Sequence, residues 1–431
     1  MIEKLTKFFF FLLILLIPIQ LGKHFWPSFS FVSGIRVDYL SPILYVSDIA
    51  VIFLILLFVV SKKNLLLNFN KYFLPYIILF VLVVFLQVFI AKSPLAHLYG
   101  ILKLTEMCML GMFVATTIKY VDIGNAVRAF SVGAFFASAL GLLQIFYQHS
   151  IGGVFYFLGE RTFSISTIGI AKMNSFDMQI LRPYAAFPHP NVLAFFLFTT
   201  IVLLVWFVPY EKNKIWKTFL IVATILSSVA LLLTFSRVII FCFAAFLLHH
   251  FVFESKKKSA NHFMFYGMTA FCVVFFLSIF YKRFFIFGSD LLYRFDLILI
   301  SLSILKNNLL FGVGLNNFFI YELPFQKIIS PILLQPVHNI YLLVAVQLGL
   351  LGSLLPAIFI WKTVTRVWNN YVGEKNVQIK SLHKSLFIIL VSLLVIGLFD
   401  HFFLTLQQGQ IMLALILGLC WANFKTKKLK V

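Results

Sequence analysis

Residues 190–208 read PNVLAFFLFTTIVLLVWFV, a run without a single charged side chain. A helix needs about 20 apolar residues to cross the hydrocarbon core of a bilayer, and this run supplies them. Comparable runs lie at roughly 8–21, 43–60, 73–91, 97–117, 127–147, 218–235, 238–253, 263–281, 338–360, 385–403 and 409–423. With 190–208 they make about twelve transmembrane helices. The expected fold is therefore an all-α polytopic membrane protein, a single integral membrane domain over residues 1–431. The first run follows Lys4 and Lys7 as a signal peptide would, but no small-residue cleavage site comes after it, so it is kept as a span.

Composition agrees. Of the 431 residues 62% are hydrophobic and 11% charged, and the mean hydropathy is +1.02. Soluble domains carry about a quarter charged residues, so an ordinary globular protein is excluded. The 35 basic against 14 acidic residues leave a net charge of +21. In a soluble chain such an excess would suggest nucleic acid, but here the lysines cluster between apolar runs, as the positive-inside rule requires. Cys108, Cys242, Cys272 and Cys420 fall inside the runs without CxxC spacing and read as buried small hydrophobes.

Counting Lys and Arg fixes the orientation. With both termini cytoplasmic, 22 of the 35 lie on the inner side, among them Lys62, Lys63, Lys212, Lys257, Lys375 and Lys427. Two long loops then face outward, about 149–187 and about 281–337. The second lies between spans nine and ten. Its stretch from Leu291 to Ile300 is expected to form short amphipathic helices at the membrane surface, followed by a flexible turn at Phe311-Gly312-Val313-Gly314-Leu315-Asn316-Asn317. Long outer loops over short basic inner ones place the chemistry outside.

Charges beside lipid are costly and each asks for a reason. Arg182 leads into Pro183-Tyr184-Ala185-Ala186-Phe187-Pro188-His189-Pro190-Asn191, where Pro190 and Asn191 fit a helix start whose free N–H groups favour anions. The alternative is an arginine snorkelling to headgroups. Arg237, in Thr234-Phe235-Ser236-Arg237, sits in a tight outer hairpin against the charge rule, with Ser236 as N-cap, and reads as a partner for an anion such as phosphate. His338 opens the tenth span after Pro336, where a helix N-terminus keeps an imidazole neutral, as a general base requires. A histidine that only makes hydrogen bonds is the plainer reading, and His24, His97, His262 and His383 are given it. The adjacent His249 and His250 have no third ligand nearby in the sequence. Lys103 and Glu106 pair across one helical turn. Asp400 either orients a histidine or arginine or caps its loop.

Together these segments resemble the O-antigen ligase and polymerase family of bacterial envelope enzymes. Arg182 with Phe187-Pro188-His189-Pro190-Asn191, the hairpin Thr234-Phe235-Ser236-Arg237, Arg294, Phe311-Gly312-Val313-Gly314, His338-Asn339 with Leu342, and Gly349-Leu350-Leu351-Gly352 stand in that family's order. The resemblance implies a membrane glycosyltransferase of the bacterial inner membrane, active on its external face. It would pass a glycan from undecaprenyl diphosphate to an acceptor hydroxyl on lipid A core, a growing glycan or a protein. It implies His338, Arg237 and Arg182 as catalytic residues, and Arg294, Asn339, Asp400 and Asn191 as substrate-binding ones. No metal motif or cofactor is expected, so charge stabilisation falls to the arginines. The 55 phenylalanines offer ample lining for a polyprenyl tail. A flippase or transporter would concentrate polar groups at the midplane, where only Lys103 and Glu106 lie. A scaffold without catalysis leaves Arg237 unexplained.

Overall fold

The computed structural model describes residues 2–61, 73–175, 178–254, 289–326 and 334–424. The expected span 263–281 and Cys272 lie outside them. The protein is mostly helical with few strands. Among the described residues six helical segments are long and apolar enough to cross a membrane: Pro94–Thr117, Asp122–Tyr147, Pro190–Tyr210, Lys214–Leu233, Ile340–Gly373 and Val377–Gly397. Val46–Val60, Leu74–Ile90, Arg237–Phe251 and Gln407–Trp421 are shorter apolar helices. The described residues fall into two compact units.

The first unit holds residues 1–17, 22–125 and 291–431. It contains α1 (Ile2–Leu16), α2 (Val46–Val60), α3 (Leu74–Ile90) and α4 (Pro94–Thr117). Two small antiparallel two-stranded sheets, which the sequence did not suggest, join α1 to α2: β1 (Gly22–His24) pairs with β4 (Ile43–Tyr45), and between them β2 (Phe31–Val32) pairs with β3 (Ile35–Arg36). The helices α12 (Ile340–Gly373), α13 (Val377–Gly397), α14 (Phe402–Thr405) and α15 (Gln407–Trp421) complete the bundle. Small residues bring α4 and α15 into contact: a Cβ on Gly111 would stand 3.5 Å from the Ala414 carbonyl, and one on Gly418 would meet Val114 at 2.6 Å. That register, 111 beside 414 and 114 beside 418, makes the two helices parallel.

Lys103 and Glu106 do pair, at 2.8 Å, and a third charge joins them. Lys103 Nζ also reaches Asp48 Oδ1 at 3.0 Å, and Asp48 accepts from Gln407 Nε2. The half-buried lysine is thus satisfied from α2 as well as from its own turn, and α15 supports its α2 partner.

The described part of the long loop of this unit is a packed structure. Helix α10 (Ser289–Asn307) and the short α11 (Phe318–Glu322) enclose a core of Val32, Leu40, Leu297, Phe318, Leu334 and Val337. The turn at 311–317 is held, not flexible as its glycines suggest. Val313 and Gly314 donate to Val346 and Gln347 (3.0 and 2.9 Å), Leu350 donates to Leu309 (2.9 Å), and Leu315 donates to His97 Nδ1 (2.8 Å). His97 has the structural role assigned to it, its Nε2 lying 2.9 Å from the Val84 carbonyl. Opposite the turn, Gly349 breaks α12 at φ +67°, so the helix expected at 338–360 runs to Gly373 across a kink.

The second unit holds residues 18–21 and 126–290. Most of α5 (Tyr120–Tyr147), then α6 (Val154–Phe157), the hairpin β5 (Lys172–Ser175) with β6 (Met178–Leu181), α7 (Pro190–Phe207), α8 (Lys214–Leu233) and α9 (Arg237–Glu254) follow in order. The uncharged run from Pro190 to Phe207 forms α7, and nearly all its side chains are buried. A helix apolar all round belongs in the middle of its unit, which is where α7 lies. At its far end Glu211 takes two hydrogen bonds from Arg128, from Nε at 2.9 Å and from Nη2 at 2.7 Å.

Candidate functional site

In the second unit the two arginine motifs meet. Arg182, only 7% exposed, follows β6 directly, and its main-chain N–H donates to Ala171 at 3.2 Å. Its Nε donates to the Thr234 carbonyl at 2.7 Å and its Nη2 to Asn191 Oδ1 at 2.8 Å. The sequence places Asn191 at a helix start, and α7 does begin at Pro190, with His189 as its cap: His189 Nδ1 accepts the Asn191 N–H at 3.1 Å. The Thr234 hairpin is as tight as its sequence suggests. Phe235 adopts φ +52°, Thr234 Oγ1 accepts the Ser236 N–H at 3.3 Å, and the Ser236 carbonyl takes the first helical bond, from Ile240 at 2.8 Å. Arg237 is the half-buried first residue of α9. A guanidinium held from two sides is thus bonded to the turn that carries a second arginine at a helix N-terminus, the end of a helix that favours anions.

A clamp that the sequence did not reveal sets the Arg182 loop. Gln144 is fully buried; its Oε1 accepts the N–H groups of Tyr184 (2.9 Å) and Ala185 (2.8 Å), and its Nε2 donates to Glu160 Oε1 (2.7 Å) and the Ala185 carbonyl (2.9 Å). Glu160 in turn accepts the N–H groups of Ile151 and Gly152 at 2.8 and 2.7 Å. One glutamine inside an apolar helix carries no motif, so only the fold shows its use.

The first unit gathers the others. His338 precedes α12 by two residues, and the cap is Asn339, whose Oδ1 accepts the Leu342 N–H at 2.9 Å. Asn339 Nδ2 donates to the Leu398 carbonyl at 3.3 Å, and Arg294 Nη1 to the Phe399 carbonyl at 3.2 Å. Both therefore fasten the turn after α13, which carries Asp400 and His401. The rings of His338 and His401 lie 4.8 Å apart, and His338 Nε2 is 3.4 Å from Gln335 Oε1. His401 was not singled out by its sequence; it is buried, and that burial pushes its pKa down to about 4 against the opposing pull of Asp400. Its Nδ1 lies 2.7 Å from Thr405 Oγ1, and Asp400 Oδ1 accepts its N–H at 2.8 Å. Donor atoms of His338, Asp400 and His401 all lie within 4.8 Å of one another.

The same unit holds a second residue that its sequence does not mark. Glu322, at the end of α11, is fully buried and accepts from Gln326 Nε2 at 2.7 Å. Burial raises its pKa to about 8, although Gln326 and the main chain of Gln335 both favour the charged form. The neighbouring Tyr293 phenol is raised by burial and by Glu322.

Compared with models of known families, residues 222–357 match the one described as O-Antigen ligase. The matched segment contains Arg237, Arg294, His338, Asn339 and the Gly349 kink. No curated protein matches the chain.

Proposed function

That match supports an O-antigen ligase family protein, and from this premise we propose that the chain transfers a glycan from undecaprenyl diphosphate to an acceptor hydroxyl outside the cytoplasmic membrane. The coarser activity, glycosyl transfer of the O-antigen ligase type from a lipid-linked glycan, is what the family implies. In this reading Arg182 and Arg237 bind the diphosphate and stabilise the charge that grows on it as the glycosidic bond breaks. His338 takes the acceptor's proton. Asp400 steadies the histidine pair, Arg294 and Asn339 shape the acceptor side, and Asn191 aims Arg182.

The observation that carries the reading is the double hold on Arg182, by Thr234 and Asn191. It leaves a planar guanidinium oriented beside the turn that presents Arg237, an arrangement that a merely snorkelling side chain does not need. The test is transfer by the purified protein from a lipid-diphosphate glycan, with lipid A core, a second lipid-linked repeat and a serine peptide as separate acceptors. Product with one acceptor assigns ligase, polymerase or protein glycosylation. No product with any of them, from folded protein and a donor that a related enzyme consumes, defeats the reading.

A further inference from the structure

His338, Asp400 and His401 are the described residues whose possible ligand atoms cluster within 4.8 Å. The donor set is two imidazoles and one carboxylate, which suits zinc, cobalt or nickel better than magnesium or calcium. Hydrogen bonds fix how His401 presents itself. Thr405 Oγ1 lies 2.7 Å from the ring's Nδ1, so Nε2 is the nitrogen the ring offers to a ligand. Ligating histidines are oriented in this manner by the hydrogen bond on their other nitrogen. Asp400 accepts the His401 N–H at Oδ1, which fixes the carboxylate beside that ring. Both are buried and held by the turn after α13, while His338 is only half-buried and gives access from outside.

We propose that His338, Asp400 and His401 form a reversible binding site for a divalent transition-metal ion of the zinc class, with the fourth position open to water. Ligand atoms about 2.0–2.1 Å from a tetrahedral ion stand about 3.4 Å apart, so the widest pair closes by a little over 1 Å on binding. Rotation of the His338 and Asp400 side chains covers that distance. The guanidinium of Arg294, bonded to the adjacent Phe399 carbonyl, bears on the same group and opposes a cation. A bound ion occupies the lone pair with which His338 would accept a proton, so it suspends transfer; this second half rests on the reading of His338 as general base.

The experiment titrates Co²⁺ alone into the metal-stripped full-length protein in nanodiscs and follows the visible d–d absorption. One ion per chain should saturate a tetrahedral spectrum, and Zn²⁺ should displace it. His401→Ala and Asp400→Asn should each weaken binding by about tenfold or more, while replacing His249 and His250 together should not. Should His401→Ala elute as aggregate, His401→Gln carries the same comparison. Absence of a saturable spectrum, or one that His401 and Asp400 variants leave unchanged, overturns the site. Zn²⁺ should inhibit glycan transfer over the concentrations that displace Co²⁺, and a chelator should restore it. Undiminished transfer at saturating Zn²⁺ overturns the regulatory half. Normal transfer by His338→Ala would defeat the base reading instead, and the Co²⁺ titration would still decide the site.

Discussion

Arg182 Nε donates to the main-chain carbonyl of Thr234 at 2.7 Å, joining two segments that lie 52 residues apart in the chain. The bond uses a carbonyl that a hairpin would otherwise leave to water. It also commits one edge of the guanidinium, as Asn191 commits another at 2.8 Å, so the plane of the group is set by the protein.

Arg182→Ala and Arg237→Ala should therefore each lower glycan transfer by about 10²–10³-fold, the usual scale for losing a donor to developing charge. Arg182→Lys should recover little, because one ammonium cannot serve Thr234, Asn191 and a diphosphate together. Asn191→Asp should be worse than Asn191→Ser, since a carboxylate would neutralise the guanidinium it now only aims. Turnover measured at equal amounts of membrane-inserted protein checks all four. Full activity in both Ala variants removes the anion site.

His338→Ala should lower turnover by about 10²–10⁴-fold, the span typical of a lost general base. Donor binding should survive, since the arginines hold the diphosphate. Asp400→Asn should cost less, because the cap on His401 persists through the amide oxygen. Separate measurement of donor Kd and single-turnover rate distinguishes the two effects. A variant that turns over normally once donor is saturating would make His338 a phosphate contact.

The helices were legible because a bilayer demands long apolar runs, and the tight hairpin at Thr234 and the helix start at Pro190 were legible because Ser, Pro and Asn punctuate locally. Gln144, Glu160, His401 and Glu322 were not. Gln144 acts through Tyr184 and Ala185, far along the chain, and a single polar residue in or next to an apolar run looks the same whether it is buried or wet. The 311–317 turn misled for the same reason: its glycines permit flexibility, and only His97, Val346 and Gln347, all distant, take it away.

Sidedness rests on the basic loops. In a twelve-span order the fourth and last spans run the same way, and α4 and α15 are parallel. Reporter fusions after Ser166 should accordingly read external, and fusions after Lys63, Lys257 and Lys375 cytoplasmic. An external reading at Lys257 would put Arg237 on the wrong face.

Glu322 should make folding pH-dependent in an unusual direction. Its carboxyl titrates near 8 in the folded chain against an ordinary 4.5, so the folded state holds the proton more tightly. Its contribution is complete below about pH 4.5, declines by up to about 1.4 kcal/mol per pH unit as pH rises toward 8, and is gone above. Tyr293 is the titratable neighbour that faces it, and as a neutral phenol it adds no charge over that range. Glu322→Gln keeps the shape of the neutral acid and should flatten the difference. Thermal unfolding of both proteins from pH 5 to 9 checks this, and identical slopes would count against a buried acid.

Gly349 is where α12 gives way to the turn at 309–314. At φ +67° and ψ 179° it occupies a conformation that side chains do not tolerate, and a Cβ there would run into the Leu310 carbonyl oxygen. Gly312 faces it with the same restriction, its own Cβ meeting the Gly349 main chain. Gly349→Ala should therefore separate the turn from the helix and forfeit the bonds between Val313 and Val346 and between Leu350 and Leu309. Backbone strain alone is worth about 1–3 kcal/mol, and the steric conflict adds to it, so a large fall in Tm or loss of folded protein is expected. Gly373→Ala, at the far end of the same helix with no atom within 4 Å of the new Cβ, should leave Tm unchanged or raise it slightly. If Gly349→Ala melts with the wild type while Gly373→Ala behaves as expected, the break in α12 is a matter of choice between two good helices and does not hold the turn in place.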